Sequence, residues 1–359
     1  MRKYRNQIII GFGVALAVYI GLLIFLDTES KLSGDVWREL KAFPLWLLLP
    51  LALTQVAAGI FRFMEWHYYL GVIDARDKIS VFDSAVLFVS SFTMVVSPGK
   101  AAELLKAVML KTKTGVPVAK SAPIVIAERV VDGIAVLIAT LIAVLIAGDD
   151  LNLGEYRGLV LLSGTLIICG LIVVQIAPLV YFCLNLLRRL PLMNRFHAPL
   201  VEFYESSREI FKLRHVLPTT LLGVGVYLAS AVAFMLILYG FGLKMTGLLF
   251  LQVTFMVGVT SAIGALSFIP NGAGVTEIST VGMLLAIVAP GEPLVTSGVA
   301  AAAAILQGFF HKWFRVVVGM AVALIFRDRL FSGDLDAELA QIEAERQQAN
   351  SYNTEASRA

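Results

Sequence analysis

A break in the hydrophobic pattern runs from Ser97 to Asp132, with the sequence SPGKAAELLKAVMLKTKTGVPVAKSAPIVIAERVVD. A hydrophobic run stops at Pro98-Gly99, and lysines are then interleaved with apolar residues. The stretch ends with Glu128, Arg129 and Asp132 inside a segment that otherwise reads as a membrane helix. A charge at the bilayer centre costs about 2.5–3.5 kcal/mol or more, so such groups seldom lie there without a purpose. We therefore expect this stretch to carry the function.

The composition around this stretch is that of a membrane protein. Of the 359 residues, 58% are hydrophobic and 15% are charged, and the mean hydropathy is +0.83. A soluble domain needs more polar cover than this. Several windows are apolar for about 20 residues, the length of a membrane-spanning helix. The alternation typical of an outer-membrane barrel is absent. The sequence therefore predicts an all-α polytopic membrane protein.

The loop charges predict how the helices are oriented. Basic residues at the start of the chain and after the last hydrophobic segment place both termini in the cytoplasm, in a bacterial-type inner membrane. The predicted crossing helices are Ile8–Leu26, Pro44–Met64, Ala122–Ala147, Gly158–Leu187, Leu217–Tyr239 and Val295–Phe326. The aromatic and charged stretch Arg62–Leu70 is interpreted as an interfacial anchor, Asp27–Phe43 as an outer loop, and Phe196–His215 as an amphipathic surface helix.

Two hydrophobic runs do not fit as full crossings. A crossing by Ile79–Val96 would place five following lysines outside, so we expect it to turn back at Ser97–Gly99. A similar break at Pro270–Gly274 separates Gly247–Ile269 from Ile278–Ala289. Backbone breaks occur at membrane depth only where protein or a wet cavity satisfies the freed polar groups.

These assignments predict an inverted repeat. About eight helical elements form two sets of four, each with one broken, re-entrant element, in halves of about 8–147 and 158–326. The membrane domain then covers residues 1–327, and residues 328–359 form a polar cytoplasmic tail.

Ten charged or ionisable residues are candidates for a substrate-binding or translocation site. They are Lys100, Glu103, Lys106, Glu128, Arg129, Asp132, Glu277, His311, Lys312 and Arg315. Glu128 and Asp132 share a helix face because they are four residues apart. Lys312 and Arg315 lie far from the ends of the last helix, and we expect them to face the same cavity as Glu128, Arg129 and Asp132.

These groups can be interpreted either as functional or as purely structural. The carboxylates could pair with the basic residues only to lock helices together. The lysines after the first break could be solvated charges of an interfacial helix, or a cationic rim for anionic lipid. Glu277 could bind a proton or cation, or be a carboxylate near a helix N-terminus.

Motifs of other functional classes are missing. Ser97-Pro98-Gly99-Lys100 fits the Ser-x-x-Lys pattern, but the partner motifs of that class do not occur. No P-loop or HExxH motif is present, and the four histidines lack metal-ligand spacing. We therefore expect no enzyme activity, cofactor, metal site or nucleic-acid partner.

Two signatures resemble the membrane region of the lysylphosphatidylglycerol synthase family. The first is Pro98-Gly99-Lys100-x-x-Glu103-x-x-Lys106 followed by Gly115 and Glu128-Arg129-x-x-Asp132, and the second is Pro270–Glu277. The family often has arginine where Lys100 and Lys106 stand, and tends to carry an arginine early in the last helix, where this chain has Gln307. The resemblance implies a stand-alone flippase-like protein, without lipid aminoacylation, because only residues 328–359 follow the last helix.

The leading hypothesis is a flippase that moves a lipid with a charged, phosphate-bearing headgroup between leaflets. Its partners would be membrane lipids with anionic or zwitterionic headgroups, together with a second copy of the chain or a lipid-modifying enzyme. One alternative is ion-coupled transport of a small anionic solute. Another is a non-transporting scaffold for a lipid- or glycan-modifying enzyme.

Overall fold

The structure, a computed structural model, describes residues 32–96, 103–151, 208–267 and 272–330, and the isolated positions 165, 181, 182, 185, 186 and 269. Helices account for most of these residues, and no strand occurs among them. The predicted all-α membrane protein is confirmed. The first predicted helix, Ile8–Leu26, and the tail beyond Leu330 lie outside this part of the chain, as does most of Gly158–Leu187.

Eleven helices are numbered here along the described ranges. They are α1 (Leu32–Ala42), α2 (Leu48–Val72), α3 (Val81–Ser90), α4 (Glu103–Thr114), α5 (Val118–Ala147), α6 (Leu213–Gly240), α7 (Gly247–Leu266), α8 (Val275–Met283), α9 (Ser297–Gly308), α10 (Arg315–Ile325) and α11 (Arg327–Leu330). Tighter 3-10 turns at Leu45–Leu47 and Ser91–Val96 precede α2 and follow α3. Wider π-helical turns at Leu284–Val288 and Phe309–Phe314 follow α8 and join α9 to α10.

Five helical segments in the described ranges are long and apolar enough to cross a membrane. They are Leu45–Val72, Lys120–Ala147, Leu213–Gly240, Gly247–Leu266 and Ser297–Ile325. Two shorter apolar helices, Val81–Thr93 and Val275–Val288, coincide with the predicted re-entrant elements. At about 1.5 Å per residue both are too short to span about 30 Å of hydrocarbon.

Local sequence explains where these helices begin and end. The hydroxyls of Ser80, Thr246 and Thr296 accept hydrogen bonds from the first-turn backbone N–H groups of α3, α7 and α9. Between α4 and α5, Gly115 has a φ of +70°, a left-handed conformation that ends α4. Pro117 then precedes the first residue of α5.

In each predicted half, one long helix packs against the helix that precedes the break of the other half. Helix α5 lies along α7, which leads to the second break, and α10 lies along α3, which leads to the first. Helix α6 packs against both α2 and α5. This reciprocal arrangement is what an inverted repeat would produce. The repeat itself stays a prediction, because Pro98-Gly99 and Pro270-Asn271 lie outside the described residues.

Glycines allow these helices to approach closely. A Cβ atom at Gly258 of α7 would lie 2.0 Å from Oγ1 of Thr140 in α5, and one at Gly319 of α10 would lie 2.7 Å from the carbonyl oxygen of Val89 in α3. Small residues bring helix backbones together in membranes, where dispersion forces rather than water drive the packing.

Gly319→Ala should therefore destabilise the protein by about 1–3 kcal/mol, because the new methyl group meets a backbone atom that can only move with its helix. Thermal unfolding in detergent would measure the change. Gly133→Ala in α5 is the matched control, since a Cβ there meets nothing within 4 Å. Equal stability of the two variants would contradict the close contact between α10 and α3.

Three predicted features differ in the structure. Part of the expected outer loop forms helix α1, whose Val36 is buried while neighbouring side chains are exposed. Residues 196–207 of the predicted surface helix Phe196–His215 lie outside the described residues; a turn at 208–212 follows, and Leu213–His215 belong to α6. Helix α2 continues to Val72, and its expected interfacial residues Trp66 and Tyr69 are buried. Four residues of Arg62–Leu70 are buried against other helices, whereas Met64 is 48% exposed, so the anchor interpretation stays a prediction for the exposed part of this stretch.

Candidate functional site

Helix α5 places two carboxylates inside the protein. Glu128 and Asp132 are each 7% exposed, one turn apart on the same face. Arg129 lies beside them with its side chain 47% exposed. Carboxylates buried among hydrophobic helices need compensating charges, because an isolated one costs several kcal/mol or takes up a proton.

Asp132 is held by two arginines. Its Oδ2 atom lies 2.9 Å from Nη1 of Arg62 in α2 and 3.2 Å from Nη1 of Arg129. Its Oδ1 atom is buried without a hydrogen-bond partner among the described residues. The pair with Arg62 joins positions 70 residues apart and fixes α5 against α2.

Glu128 is held by Lys106 of α4. The Nζ atom of Lys106 donates to both carboxylate oxygens, at 2.8 and 3.1 Å. The same ammonium group lies 3.7 Å from the ring centre of Trp66 and 4.8 Å from that of Phe88. Cation–π contacts of this kind add to the ion pair where water is excluded. Lys106 is therefore a buried residue of the interior, not part of a surface rim.

A cavity of about 60 Å³ lies between these groups. Its walls come from α2, α4, α5, α10, α3 and the turn that leads from α3 to the first break; they comprise Arg62, Glu65, Phe88, Ser91, Phe92, Lys106, Val125, Glu128, Arg129 and Arg315. Four of these side chains are basic and two are acidic. We call Arg62, Glu65, Lys106, Glu128, Arg129, Asp132 and Arg315 the central cluster.

A second buried ion pair lies at the start of α8. Lys312, in the π-helical turn before α10, pairs with Glu277 and also donates to the hydroxyl of Thr276. The other oxygen of Glu277 accepts hydrogen bonds from the Gly274 N–H at 2.8 Å and the Thr276 hydroxyl at 3.0 Å. Glu277 therefore caps α8 and binds a lysine at the same time. A largely apolar cavity of about 70 Å³ adjoins this pair.

The structure brings some of the predicted residues together and separates others. Arg315 lines the same cavity as Glu128 and Arg129, as expected, whereas Lys312 pairs with Glu277. His311 has a buried Nδ1 atom without a hydrogen-bond partner among the described residues. Lys100 lies outside the described residues, and Glu103 is described only as the first residue of α4.

Sequence reasoning missed Arg62 and Glu65, which both line the central cavity. Their spacing of three residues places them on one face of a helix. This signal was available, but Arg62–Leu70 was interpreted as the end of a membrane helix. In the structure α2 runs on to Val72, so both residues lie inside it.

Metal chemistry has no obvious site in this arrangement. In the described ranges, no three His, Cys, Asp or Glu residues lie close enough to hold a metal ion. The ionisable groups are instead arranged as acid–base pairs around a cavity. Such an arrangement can bind an anion through arginine and exchange protons through carboxylates.

The chain is similar in sequence to known membrane proteins. The profile of the family described as the lysylphosphatidylglycerol synthase TM region matches residues 8–319. A UPF0104 membrane protein of Archaeoglobus fulgidus is 30% identical over 147 residues, which are 40% of this chain and 42% of that protein. The aligned stretch thus spans less than half of either chain. Since the profile covers most of the sequence and the described helices include five apolar spans, this integral membrane protein belongs to the lysylphosphatidylglycerol synthase transmembrane-region family.

Proposed function

We propose that this protein moves a lipid with a charged, phosphate-bearing headgroup from one leaflet of a bacterial-type cytoplasmic membrane to the other. The observation that carries the proposal is the central cluster, with four basic side chains around one cavity among apolar helices. Intramembrane ionisable groups mark substrate pathways by default. The lipid chains would remain in the bilayer while the headgroup passes through the interior, and no enzymatic step is involved.

The chemistry of the cavity suits a phosphate. Three of its four basic residues are arginines, whose planar guanidinium groups bind phosphate oxygens in a bidentate manner. Arg129 keeps about half of its side chain exposed while it contacts Asp132. It can therefore meet a headgroup at the protein surface and remain linked to the buried carboxylate.

The position of the cavity also supports transport. Its walls combine α2, α4 and α5 of the first predicted half with Arg315 of the second. Transporters built from repeats bind their substrates at the interface between repeats. A volume of about 60 Å³ holds several water molecules but no lipid headgroup, so a headgroup can pass only if the helices around the cavity move apart.

Arg129→Gln combined with Arg315→Gln should slow headgroup translocation by at least about 100-fold, because each charge-assisted hydrogen bond to phosphate is worth about 1.5–3 kcal/mol and two are lost. The assay follows dithionite quenching of a fluorescent phosphatidylglycerol in proteoliposomes. Arg38→Gln is the matched control, since its side chain is 68% exposed on α1. Unchanged translocation in the double variant would contradict the proposal.

The small size of the cavity favours one second candidate, ion-coupled transport of a compact anionic solute. The same proteoliposomes discriminate between the two functions. Uptake of a soluble phosphate or carboxylate without movement of the fluorescent lipid would favour the solute transporter. Loss of function on deletion of residues 328–359, with tolerance of substitutions in the central cluster, would instead favour a scaffold for a lipid- or glycan-modifying enzyme.

A further inference from the structure

Glu65 is the acidic residue of the central cluster that lacks an ion pair among the described residues. It lies on α2, is 1% exposed and lines the central cavity. Its Oε1 atom has no hydrogen-bond partner in the described part of the chain. The other two carboxylates of the cluster are each paired, Glu128 with Lys106 and Asp132 with Arg62 and Arg129. Glu65 can therefore gain or lose a proton without breaking an ion pair in the described cluster.

The charged surroundings of Glu65 are mixed. Helix α2 itself contributes Arg62, and the basic groups Lys106, Arg129 and Arg315 reach the cavity from α4, α5 and α10. Glu128 lines the same cavity, and Asp132 adjoins it through Arg62. Two further titratable groups, Tyr227 of α6 and His311 of the π-helical turn, lie near Arg62 and Asp132.

An incoming phosphate changes this balance. Arg62 and Arg129 offset part of the charge of an ionised Glu65, while Glu128 and Asp132 oppose it. A phosphate that binds to those cations adds negative charge beside the carboxylate, which then lies buried with no counter-charge of its own. Burying an unpaired carboxylate is costly, and a proton on it removes both that cost and the repulsion from the phosphate.

We propose that Glu65 is the proton-binding residue of this protein, and that one proton and one headgroup phosphate occupy the central cavity together. The proton comes from water that reaches the cavity, binds a carboxylate oxygen of Glu65 and leaves with the headgroup on the other side. This inference rests on the proposed function and adds an energy source to it, since a proton gradient would then drive the lipid in the direction of proton flow.

Binding measurements test the proton separately from transport. Purified protein in detergent is mixed with short-chain phosphatidylglycerol in weakly buffered solution, and the proton uptake is read from a pH indicator. We expect about one proton per bound lipid, and an affinity that strengthens by up to tenfold for each unit by which the pH falls, because the two ligands are linked. Glu65→Gln imitates the protonated residue, so its binding should take up no proton and should not depend on pH.

Transport measurements test the coupling. A pH gradient across the proteoliposomes should accelerate translocation of fluorescent phosphatidylglycerol by wild-type protein, while Glu65→Gln should translocate the lipid at a rate that ignores the gradient. Asp74→Asn is the control, since its carboxylate follows α2 and is 85% exposed. Size-exclusion profiles and thermal unfolding are used to check that each variant is folded.

The outcomes separate the two proposals. Proton uptake on binding without any lipid translocation would overturn the flippase but keep the role of Glu65. Translocation with no proton uptake, or with proton uptake that persists in Glu65→Gln, would overturn the role of Glu65 and leave the flippase intact. Binding of the lipid without proton uptake overturns the role of Glu65, whether or not the lipid is translocated.

Discussion

Asp132→Ala is expected to destabilise the protein by about 3–5 kcal/mol and to abolish translocation, because removing one partner of a buried ion pair leaves the other charge uncompensated. The uncompensated group is Arg62, whose side chain is 14% exposed and lies 2.9 Å from the carboxylate. Thermal unfolding in detergent and the translocation assay measure the two effects. Asp74→Ala is the matched control, since its pair with Lys120 is exposed and such surface pairs are worth about 0–1 kcal/mol.

A double variant separates a structural lock from a transport site. Arg62→Met with Asp132→Leu replaces the pair by apolar side chains of similar size, and such replacements are often neutral or stabilising. If the pair serves only to hold α2 against α5, the double variant should regain both stability and translocation. We expect it to regain stability but not translocation, because the cavity loses Arg62. Recovery of both would reduce the pair to a structural role.

Glu277→Ala is expected to destabilise the protein by about 3–5 kcal/mol, because it leaves the buried Lys312 without its counter-charge. It also removes the acceptor for the Gly274 N–H at the start of α8. Lys312→Met should cost less, since the carboxylate then keeps its hydrogen bonds from Gly274 and Thr276. Denaturant or thermal unfolding in the same detergent measures which of the two variants loses more stability.

The order of these two variants is the informative result. A larger loss in Lys312→Met than in Glu277→Ala would contradict the capping role of Glu277. Glu277→Gln with Lys312→Met should restore much of the stability, because a neutral amide can still accept from the Gly274 N–H. Failure of this double variant to recover would mean that the ion pair itself, and not the cap, determines the packing of α8 against the last membrane helix.

Short-range sequence spacing predicted the correct face of α5 but not the contacts made by that face. A separation of four residues fixes the angle between Glu128 and Asp132 about their own helix axis. The partners of these residues depend on the neighbouring helices. Asp132 forms an ion pair with Arg62 on α2, and Glu128 forms one with Lys106 on α4. Neither pairing follows from hydrophobic periodicity, which carries no information about distances between helices.

The structure also separates Lys312 from Arg315, which were expected to face one cavity, because each meets a different neighbouring helix. Lys312 and Arg315 are three residues apart, which on a regular α-helix places them on one face. In the structure the turn that contains Lys312 is π-helical, with more residues per turn. Lys312 pairs with Glu277, and Arg315 reaches the central cavity. A π-helical turn has no clear signature in composition, so the sequence did not reveal it.

The sequence by itself determined that this protein is an all-α membrane protein with charged residues in its interior. That much follows from hydrocarbon thickness and from the need of every backbone polar group in lipid for an internal partner, both of which act on single segments. Only the tertiary structure decided which charges meet. It joined Arg62 and Glu65 to the stretch from Ser97 to Asp132, and it assigned Lys312 to Glu277, because ion pairs form between helices that approach closely in space and not along the chain.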